Sequence, residues 1–251
     1  MNVLILAAGY ATRLYPLTLN QPKPLLPVAG KPMMEWVLDN MAPIDGIEKV
    51  YVVTNAKFVA HFQAWAAGYA RVQSRLQFEI VNDGTTGDAD KLGAIGDMNL
   101  VIQRFGLDQS DLFVVAGDNL FSQSLEDFGR FCRTLSGPAI GVYDVGTLEE
   151  AKKYGVVAVD ESGVITQFVE KPADPPSTLI SIALYFYPKA VVRRIAEYIA
   201  EGNNPDQPGR LVQWLFPRVP VKTWRVPGTW FDVGSKETLE EANQLFVKFR
   251  R

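Results

Sequence analysis

The sequence predicts an α/β fold, consisting of one Rossmann-like domain with a mostly parallel mixed sheet that helices flank and a β-rich lobe in its second half. Two observations predict this class. Short apolar runs rich in β-branched residues alternate with helix-length segments as far as residue 138, and strand-like runs predominate after it. No low-complexity tract or run of like charges interrupts the chain, so it is expected to be globular throughout.

The first half contains four apolar runs of strand length and four segments of helix length. Because strands buried on both faces read as continuous apolar runs, this alternation indicates βαβ units with right-handed crossovers. The strands are predicted at residues 3–6, 50–53, 76–81 and 112–115, and the helices at 34–41, 56–66, 94–105 and 125–135.

The second half is predicted to form a mixed sheet and to end in a helix. Ser235 suits the N-cap position, and the residues after it favour a helix. The loops at 173–177 and 202–209 are too short to separate independent domains, so a single domain is expected. Strands are predicted at 139–143, 156–159, 165–169 and 179–187, and helices at 190–201, 210–216 and 235–249.

Composition excludes several functional classes. A net charge of -3 argues against a general nucleic-acid surface, which needs a basic face, but leaves small phosphorylated ligands open. The single cysteine, Cys132, cannot form an internal disulfide, and Met1 and Asn2 precede the first apolar run without a basic region. A cytoplasmic location and no membrane partner are therefore expected, because no apolar run approaches the ~18 residues that cross a bilayer.

The segment after the first predicted strand has the character of a phosphate-binding loop. Small residues at positions 7–9 allow backbone N–H groups to approach a ligand closely. Arg13 and Lys23 add two cations near the carboxyl end of that strand, where open α/β sheets bind ligands. The segment is not a Walker A motif, because Pro32 follows Gly30 and Lys31 where Ser or Thr is required.

Residues 6–14, LAAGYATRL, and 22–32, PKPLLPVAGKP, together resemble the signature of the sugar-1-phosphate nucleotidyltransferases, of which glucose-1-phosphate thymidylyltransferase is typical. The resemblance implies a loop around a nucleoside triphosphate, an arginine that grips phosphate and a lysine near the α-phosphorus. The positions that match these roles are Ala7, Ala8, Gly9, Thr12, Arg13 and Lys23. Ala11 replaces the second glycine of the family's loop, at a cost of roughly 1 kcal/mol if that position needs positive φ.

Two aspartates resemble the metal ligands of this family. Asp118 follows a buried apolar run and Gly117, and it is an ordinary turn residue when taken alone. The Gly-Asp element and the later WFDVGS element resemble family motifs, which implies that Asp118 and Asp232 bind Mg²⁺. Arg13, Lys23 and Asp118 are thereby the expected catalytic residues. Zn²⁺ is not expected, because His61 and Cys132 lie in unrelated helical segments and are interpreted as structural or solvated.

The base and sugar pockets match the family less closely. Asn82 and Asp83 stand where relatives carry a glutamine, and Gly93 keeps the glycine at the helix entrance. These residues are expected to bind the nucleotide, and UTP or dTTP is favoured because asparagine offers the same donor and acceptor pair as glutamine. An Asx-rich turn is the alternative. The resemblance assigns sugar-phosphate binding to Asn119, Tyr154, Gly155, Glu170, Lys171 and Trp230.

The implied reaction is the attack of a sugar-1-phosphate on the α-phosphorus of a nucleoside triphosphate. Residues 1–138 are expected to bind the nucleotide, residues 139–234 the sugar, and a helix over 235–250 to close the fold, without a C-terminal β-helix domain. Two alternatives remain open. One is a cytidylyltransferase for phosphocholine or a polyol phosphate, and the other is a non-catalytic regulatory homologue that binds nucleotide or sugar phosphate. The sequence is compatible with a homo-oligomer and does not indicate its size.

Overall fold

The computed structural model describes residues 1–70 and 75–250 of the chain. The strands in this part are β1 Asn2–Leu6, β2 Pro27–Val28, β3 Lys31–Pro32, β4 Lys49–Thr54, β5 Phe78–Asn82, β6 Leu112–Ala116, β7 Asn119–Phe121, β8 Ala139–Asp144, β9 Gly155–Val159, β10 Ile165–Glu170, β11 Leu179–Tyr187, β12 Lys222–Arg225 and β13 Trp230–Asp232. The α-helices are α1 Met33–Met41, α2 Val59–Tyr69, α3 Ala94–Phe105, α4 Glu126–Arg133, α5 Leu148–Ala151, α6 Lys189–Val192, α7 Arg194–Ala200, α8 Gly209–Leu215 and α9 Lys236–Phe246.

The chain divides into two compact units. The amino-terminal unit contains residues 3–91, 115–129 and 227–251, and the β-rich unit contains residues 1–2, 92–114 and 130–226. The division falls within β6, whose first three residues belong to the β-rich unit and whose last two belong to the amino-terminal unit.

The amino-terminal unit is built on strands in the order β6, β1, β4 and β5. β4 and β5 are parallel, with Val52 opposite Ile80. The side chains of Leu4, Ile5 and Val52 have no exposed surface, as expected of strands that are covered on both faces. The carboxyl end of β1 leads directly into the candidate phosphate loop.

Two short strand pairs and a hydrophobic cluster complete this unit. β2 pairs with β3, and β7 pairs with β13, both antiparallel. The buried cluster joins α1 to α9, where Trp36 and Phe246 meet edge to face with ring centroids 5.1 Å apart. Other members of the cluster are Leu14, Leu26, Val28, Met33, Leu120 and Val233. The last helix is therefore held by the same core that supports the segment containing Lys23.

The β-rich unit contains strands in the order β10, β9, β11 and β6, and β8 pairs with both β11 and β12. β10 and β11 are antiparallel to β9, β11 is antiparallel to β8, and β12 is parallel to β8. Ile182 and Leu184 on β11 pack against Gly141 of β8, where a Cβ would lie 2.9 Å from a Leu184 methyl carbon. This mixed arrangement agrees with the β-rich second half that the sequence predicts.

The predicted α/β class, with a large, mostly parallel central sheet flanked by helices, is confirmed. The strand predictions agree with the structure to within two residues. The predicted helix at 56–66 instead begins at Val59 and ends at Tyr69. The predicted helix at 190–201 is two helices, α6 and α7.

Six short strands and helices of the described residues are absent from the sequence predictions. Two- and three-residue strands carry too little alternation to be recognised, and only pairing partners distant in sequence define them. These elements are the strands β2, β3, β7, β12 and β13 and the helix α5, of which β12 and α5 have four residues each. Among the helices of the described residues, none has the length and hydropathy required to cross a bilayer.

The N-terminus of α9 gives a test of this fold. Ser235 accepts the Thr238 N–H through its hydroxyl oxygen, and Thr238 Oγ1 accepts the Ser235 N–H at 2.9 Å in return, which forms a capping box. We expect Ser235→Ala to lower the free energy of unfolding by about 1 kcal/mol, measured by urea denaturation. Ser235→Thr, which keeps the hydroxyl, is the control and should lose much less. Equal losses in the two variants would contradict the capping role.

Candidate active site

The loop after β1 presents a row of backbone donors. Within the described part of the chain, none of the N–H groups of residues 8–13 donates a hydrogen bond to another group of the protein. Gly9 is exposed, and a Cβ built on it would meet no atom within 4 Å. Because unbonded N–H groups in a short irregular loop attract anions, this loop has the character of a phosphate site.

The shape of this loop is maintained by two side chains that the sequence analysis did not single out. Asn55 Nδ2 donates to the Ala8 carbonyl at 2.8 Å, and Thr18 Oγ1 donates to the Ala11 carbonyl at 2.8 Å. Ala11 has φ 48° and ψ 45°, which is the left-handed conformation that a glycine would adopt readily. The loop therefore keeps a glycine-like backbone although its second glycine is replaced.

Lys23 lies between the two predicted metal ligands. Its ammonium is 2.5 Å from Asp118 Oδ2 and 3.7 Å from Asp232 Oδ1. The side chain of Lys23 is only 13% exposed, against 28% for Asp118 and 36% for Asp232. The structure thus brings together three of the residues that the sequence singles out, from segments at least 95 residues apart.

Burial and charge oppose each other in this cluster. Burial by itself would lower the pKa of the Lys23 ammonium, but Asp118 and Asp232 outweigh it, and the net shift is upward. Burial raises the pKa of Asp232, assisted by the negative charge of Asp118 and opposed by Lys23 and Arg13. Lys23 is therefore charged at neutral pH, and Arg13, which is exposed, is close enough to act on the same carboxylate.

Antiparallel pairing of β7 and β13 brings the two aspartates together. Asp232 is opposite Asn119, the residue after Asp118. Trp230 is buried, and its Nε1 donates to Asn119 Oδ1 at 3.0 Å. Asn119 and Trp230 thus hold the pair of strands together beneath the carboxylates, and their contact with a sugar phosphate stays a prediction.

Gly117 allows this site to assemble. A Cβ at that position would be 3.0 Å from Ile5 Cγ2 and 3.2 Å from Pro24 Cβ, so a side chain would push apart β1 and the segment that carries Lys23. The Gly117 N–H also donates to the Leu6 carbonyl at 2.9 Å. Gly117 therefore permits close packing of the protein directly beside Asp118.

The donor set suits Mg²⁺. Asp118 and Asp232 both approach one ammonium, so a small cation could contact both carboxylates, and Mg²⁺ is usually held by one or two carboxylates while water and phosphate oxygens complete its octahedron. No group of three or more His, Cys, Asp or Glu side chains in residues 1–70 and 75–250 is arranged to hold a metal ion. Water and phosphate oxygens would complete the coordination shell of a metal held by these two carboxylates.

The predicted base-binding loop after β5 is organised by its own side chains. Asn82 Oδ1 accepts the Gly84 N–H at 2.9 Å, and Asp83 Oδ1 accepts both the N–H and the hydroxyl of Thr85. These are the Asx-type turns that the sequence left open as an alternative. Since the hydroxyl proton of Thr85 is directed to Asp83, the buried Tyr10 hydroxyl, 3.2 Å away, is the donor to Thr85 Oγ1. This chain of bonds connects the loop to the phosphate loop.

Gly93, the remaining predicted nucleotide ligand, lies in the β-rich unit. It has φ 77°, and a Cβ on it would be 2.6 Å from the Pro205 carbonyl oxygen. The first N–H groups of α3, from Ala94 and Ile95, already donate to the carbonyls of Asp206 and Pro205. The observed reason for glycine here is close packing against residues 205–206, and base recognition by Gly93 stays a prediction.

Strand pairing in the β-rich unit brings the predicted sugar residues together. Glu170 at the end of β10 is opposite Gly155 at the start of β9, and the Lys171 N–H donates to the Tyr154 carbonyl at 3.0 Å. Burial raises the pKa of Glu170, and the charges of Lys171 and Arg210 oppose this effect. The four residues predicted from two separate motifs thus form one cluster.

Gly209 and Arg210 also belong to this cluster, although neither is among the residues predicted from the sequence. A Cβ on Gly209 would be 2.5 Å from Glu170 Oε2, and one on Gly155 would be 2.9 Å from the same atom. Two glycines therefore leave the space in which the Glu170 carboxylate lies. The available signal was the Pro208-Gly209-Arg210 run, in which a cation follows a glycine at the start of a helix.

The two other groups considered as metal ligands are separate from these clusters. His61 is exposed on α2 and makes an edge contact with Phe58. Cys132 is a buried free thiol on α4, and burial raises its pKa, which leaves it protonated and unreactive. Both residues are solvated or structural, as interpreted from the sequence.

The sequence matches the model of the nucleotidyl transferase family over residues 2–248. It is 28% identical over 98% of its length to the bifunctional protein GlmU of Methanocaldococcus jannaschii, of which it covers 54%. It is 31% identical over 93% of its length to a UTP–glucose-1-phosphate uridylyltransferase of Synechocystis, of which it covers 60%. The chain thus spans little more than half of the length of these two relatives. It is 27% identical over 97% of its length to the UTP–glucose-1-phosphate uridylyltransferase AglF of Haloferax volcanii, of which it covers 96%.

Solved structures share the fold. A Bacillus anthracis protein provisionally assigned as a glucose-1-phosphate thymidylyltransferase superimposes with a TM-score of 0.86 at 23% identity, covering 100% of this chain and 97% of that one. A UDP-glucose pyrophosphorylase crystallised with UDP-glucose gives a TM-score of 0.81 at 23% identity, covering 99% of both chains. At this level of identity the similarity establishes the architecture.

The bond between Tyr10 and Thr85 gives a test of how the two loops are held. Tyr10→Phe removes only the hydroxyl, and we expect the free energy of unfolding to fall by about 1 kcal/mol in urea denaturation, as for one intramolecular hydrogen bond. The matched control is Tyr15→Phe, because Tyr15 is 39% exposed, and its stability should not change. A Tyr10→Phe variant as stable as the wild type would show that this bond does not support the loops.

Proposed function

The chain belongs to the nucleotidyl transferase family, and we propose that it joins a nucleoside triphosphate to a sugar-1-phosphate, giving a nucleotide sugar and pyrophosphate. The observation that carries the proposal is the row of unbonded N–H groups at residues 8–13, in the same compact unit as Lys23, Asp118 and Asp232. A row of donors beside a cation suits a polyphosphate, and a pair of carboxylates suits its divalent counter-ion. The names of relatives such as the Haloferax uridylyltransferase support the same class of reaction.

The reaction needs little from the protein beyond placement and charge. A phosphate monoester is already a nucleophile, so its oxygen can attack the α-phosphorus without a general base, in line with the departing pyrophosphate. The N–H groups of residues 8–13 and the guanidinium of Arg13 would hold the triphosphate. Lys23 would neutralise charge that develops at the α-phosphate in the transition state.

Asp118 and Asp232 would hold Mg²⁺ in this proposal. When bound, the ion would offset negative charge on the reacting phosphates. The protein contributes the two carboxylates at a fixed separation, because β7 and β13 are paired and Trp230 is bonded to Asn119. The metal therefore relies on a backbone arrangement that exists before any substrate binds.

The cluster around Glu170 suits the sugar phosphate. The Glu170 carboxylate can accept hydrogen bonds from sugar hydroxyls, and the exposed Lys171 can meet the phosphate. Arg210 provides a second cation whose charge acts on Glu170. We include Gly155 and Gly209 in this site, because their missing side chains leave room for the partly buried carboxylate.

UTP and dTTP are the favoured nucleotides, because Asn82 can replace the family's glutamine as a donor and acceptor for a pyrimidine edge. Asn82 Oδ1 and Asp83 Oδ1 accept hydrogen bonds from within their own loop. The choice of base is therefore supported by fewer observations than the binding of a triphosphate. The main alternative within the same chemistry is a cytidylyltransferase that acts on phosphocholine or a polyol phosphate. A regulatory homologue is less favoured, because Lys23 and both carboxylates are present and adjacent.

A substrate panel tests the proposed reaction. Purified protein with Mg²⁺ is offered UTP, dTTP, CTP, ATP and GTP, each with glucose-1-phosphate, other hexose-1-phosphates, phosphocholine and polyol phosphates, and pyrophosphate release is measured. We expect release with a sugar-1-phosphate and with UTP or dTTP above the other nucleotides. Release with CTP and phosphocholine alone would identify the cytidylyltransferase instead. Folded protein that releases no pyrophosphate from any pair would favour the regulatory homologue.

Removal of single charged groups tests the assignment of roles. We expect Asp118→Ala and Lys23→Ala each to lower turnover in the panel's best pair by two orders of magnitude or more, because each removes charge at the reacting phosphates. Lys248→Ala, which alters an exposed lysine near the C-terminus, is the control and should keep normal turnover. Near-normal rates in Asp118→Ala or Lys23→Ala would refute the site proposed for this reaction.

A further inference from the structure

The ammonium of Lys23 lies where a cation held by both aspartates would lie. It is within 4 Å of one oxygen of each carboxylate, and it is the most buried of the three side chains. The expected metal and this lysine therefore compete for the same pair of ligands. Both cannot occupy the space at once, because two cations in contact would repel each other strongly at a half-buried site.

We propose that Lys23 is an internal counter-cation that blocks divalent metal from the Asp118–Asp232 pair until a nucleoside triphosphate binds, so that metal and triphosphate enter the site together. This inference rests on the proposed function, since it gives Lys23 a role in the order of ligand binding at the same site. It goes beyond neutralisation of the α-phosphate, because it concerns the protein before any substrate is present.

The charges around Lys23 explain why its ammonium would leave the two carboxylates for a triphosphate. A divalent cation that binds both carboxylates must displace the ammonium, and a buried ammonium without an anionic partner is costly. A triphosphate bound to the N–H groups of residues 8–13 would supply that partner. Lysine is suited to such a change, because its charge sits on a flexible four-carbon stem and does not require a fixed planar partner.

The surroundings allow Lys23 to move while its backbone stays in place. Lys23 begins a short 3-10 turn, and the next two residues, Pro24 and Leu25, are buried. Pro24 is held against Gly117, so the movement would involve the side chain alone. Arg13 acts on Asp232 from an exposed position, and in this proposal it would assist the triphosphate without blocking the metal.

The test measures Mn²⁺ binding to the nucleotide-free protein, with the electron paramagnetic resonance signal of free Mn²⁺ as the readout. We expect weak binding to the wild type, with a dissociation constant in the millimolar range, and binding at least tenfold tighter to Lys23→Gln. Lys23→Arg keeps the positive charge and is the matched control, with affinity as weak as that of the wild type. Equal affinity in the wild type and Lys23→Gln would overturn the proposal, as would tight binding to the nucleotide-free wild type.

A second comparison shows where any added metal binds. The double variant Lys23→Gln with Asp118→Asn should lose the tighter Mn²⁺ binding expected of Lys23→Gln, because one of the two carboxylates is then neutral. If the double variant still bound Mn²⁺ as tightly as Lys23→Gln, the metal would lie outside the Asp118–Asp232 pair and the proposal would be overturned. Thermal unfolding with and without Mn²⁺ shows whether each variant is folded, and Lys23→Met replaces Lys23→Gln if the latter is not.

The effect of nucleotide on Mn²⁺ affinity gives a third measurement. UTP at saturating concentration should tighten Mn²⁺ binding to the wild-type site, and the tightening should be at least tenfold smaller in Lys23→Gln, whose site is already open to metal. An equal increase in Mn²⁺ affinity in the wild type and in Lys23→Gln would contradict the proposed movement of Lys23 from the carboxylates to the triphosphate. Pyrophosphate release by the wild type is measured separately, so failure of this inference is distinct from failure of the proposed reaction.

Discussion

The close approach of three backbone segments at Gly117 is the constraint on which the rest of the candidate site depends. The absence of a side chain there lets β1, the turn carrying Lys23 and the end of β6 meet within van der Waals distance. Asp118 follows directly and faces Lys23, and the pairing of β7 with β13 adds Asp232 from the far end of the sequence. A side chain at position 117 would require Ile5 and Pro24 to move by a few tenths of an ångström, next to the segment that carries Lys23.

The phosphate loop shows how a local cost is offset by distant bonds. A left-handed alanine costs roughly 1 kcal/mol, and leaving a row of N–H groups without protein acceptors exposes them to water. Asn55 and Thr18 stabilise the loop through its carbonyl groups and leave its N–H groups unbonded. The loop is therefore shaped before a ligand arrives, and such preorganisation favours tight recognition of a charged group.

The second cluster accommodates a carboxylate that is partly buried. Burial disfavours the charged form of Glu170, and Lys171 and Arg210 compensate for part of that effect. Gly155 and Gly209 leave room around the carboxylate that any side chain would fill. A ligand with hydroxyl groups and a phosphate matches this combination of an acceptor and two cations.

The sequence by itself determined the α/β class, the long strands and helices, and the identity of the charged residues at the phosphate loop, because these depend on local composition and on motifs contiguous in the chain. Arg13, Lys23, Asp118 and Asp232 could be named from such motifs. Tertiary structure decided which of them meet. The short strands β7 and β13 acquire their structure only from each other, so neither the bridging position of Lys23 nor the bond between Trp230 and Asn119 has a local signal. The same reason hides Asn55, Thr18, Gly209 and Arg210, whose roles are set by contacts with residues distant in sequence or by the space around a buried group.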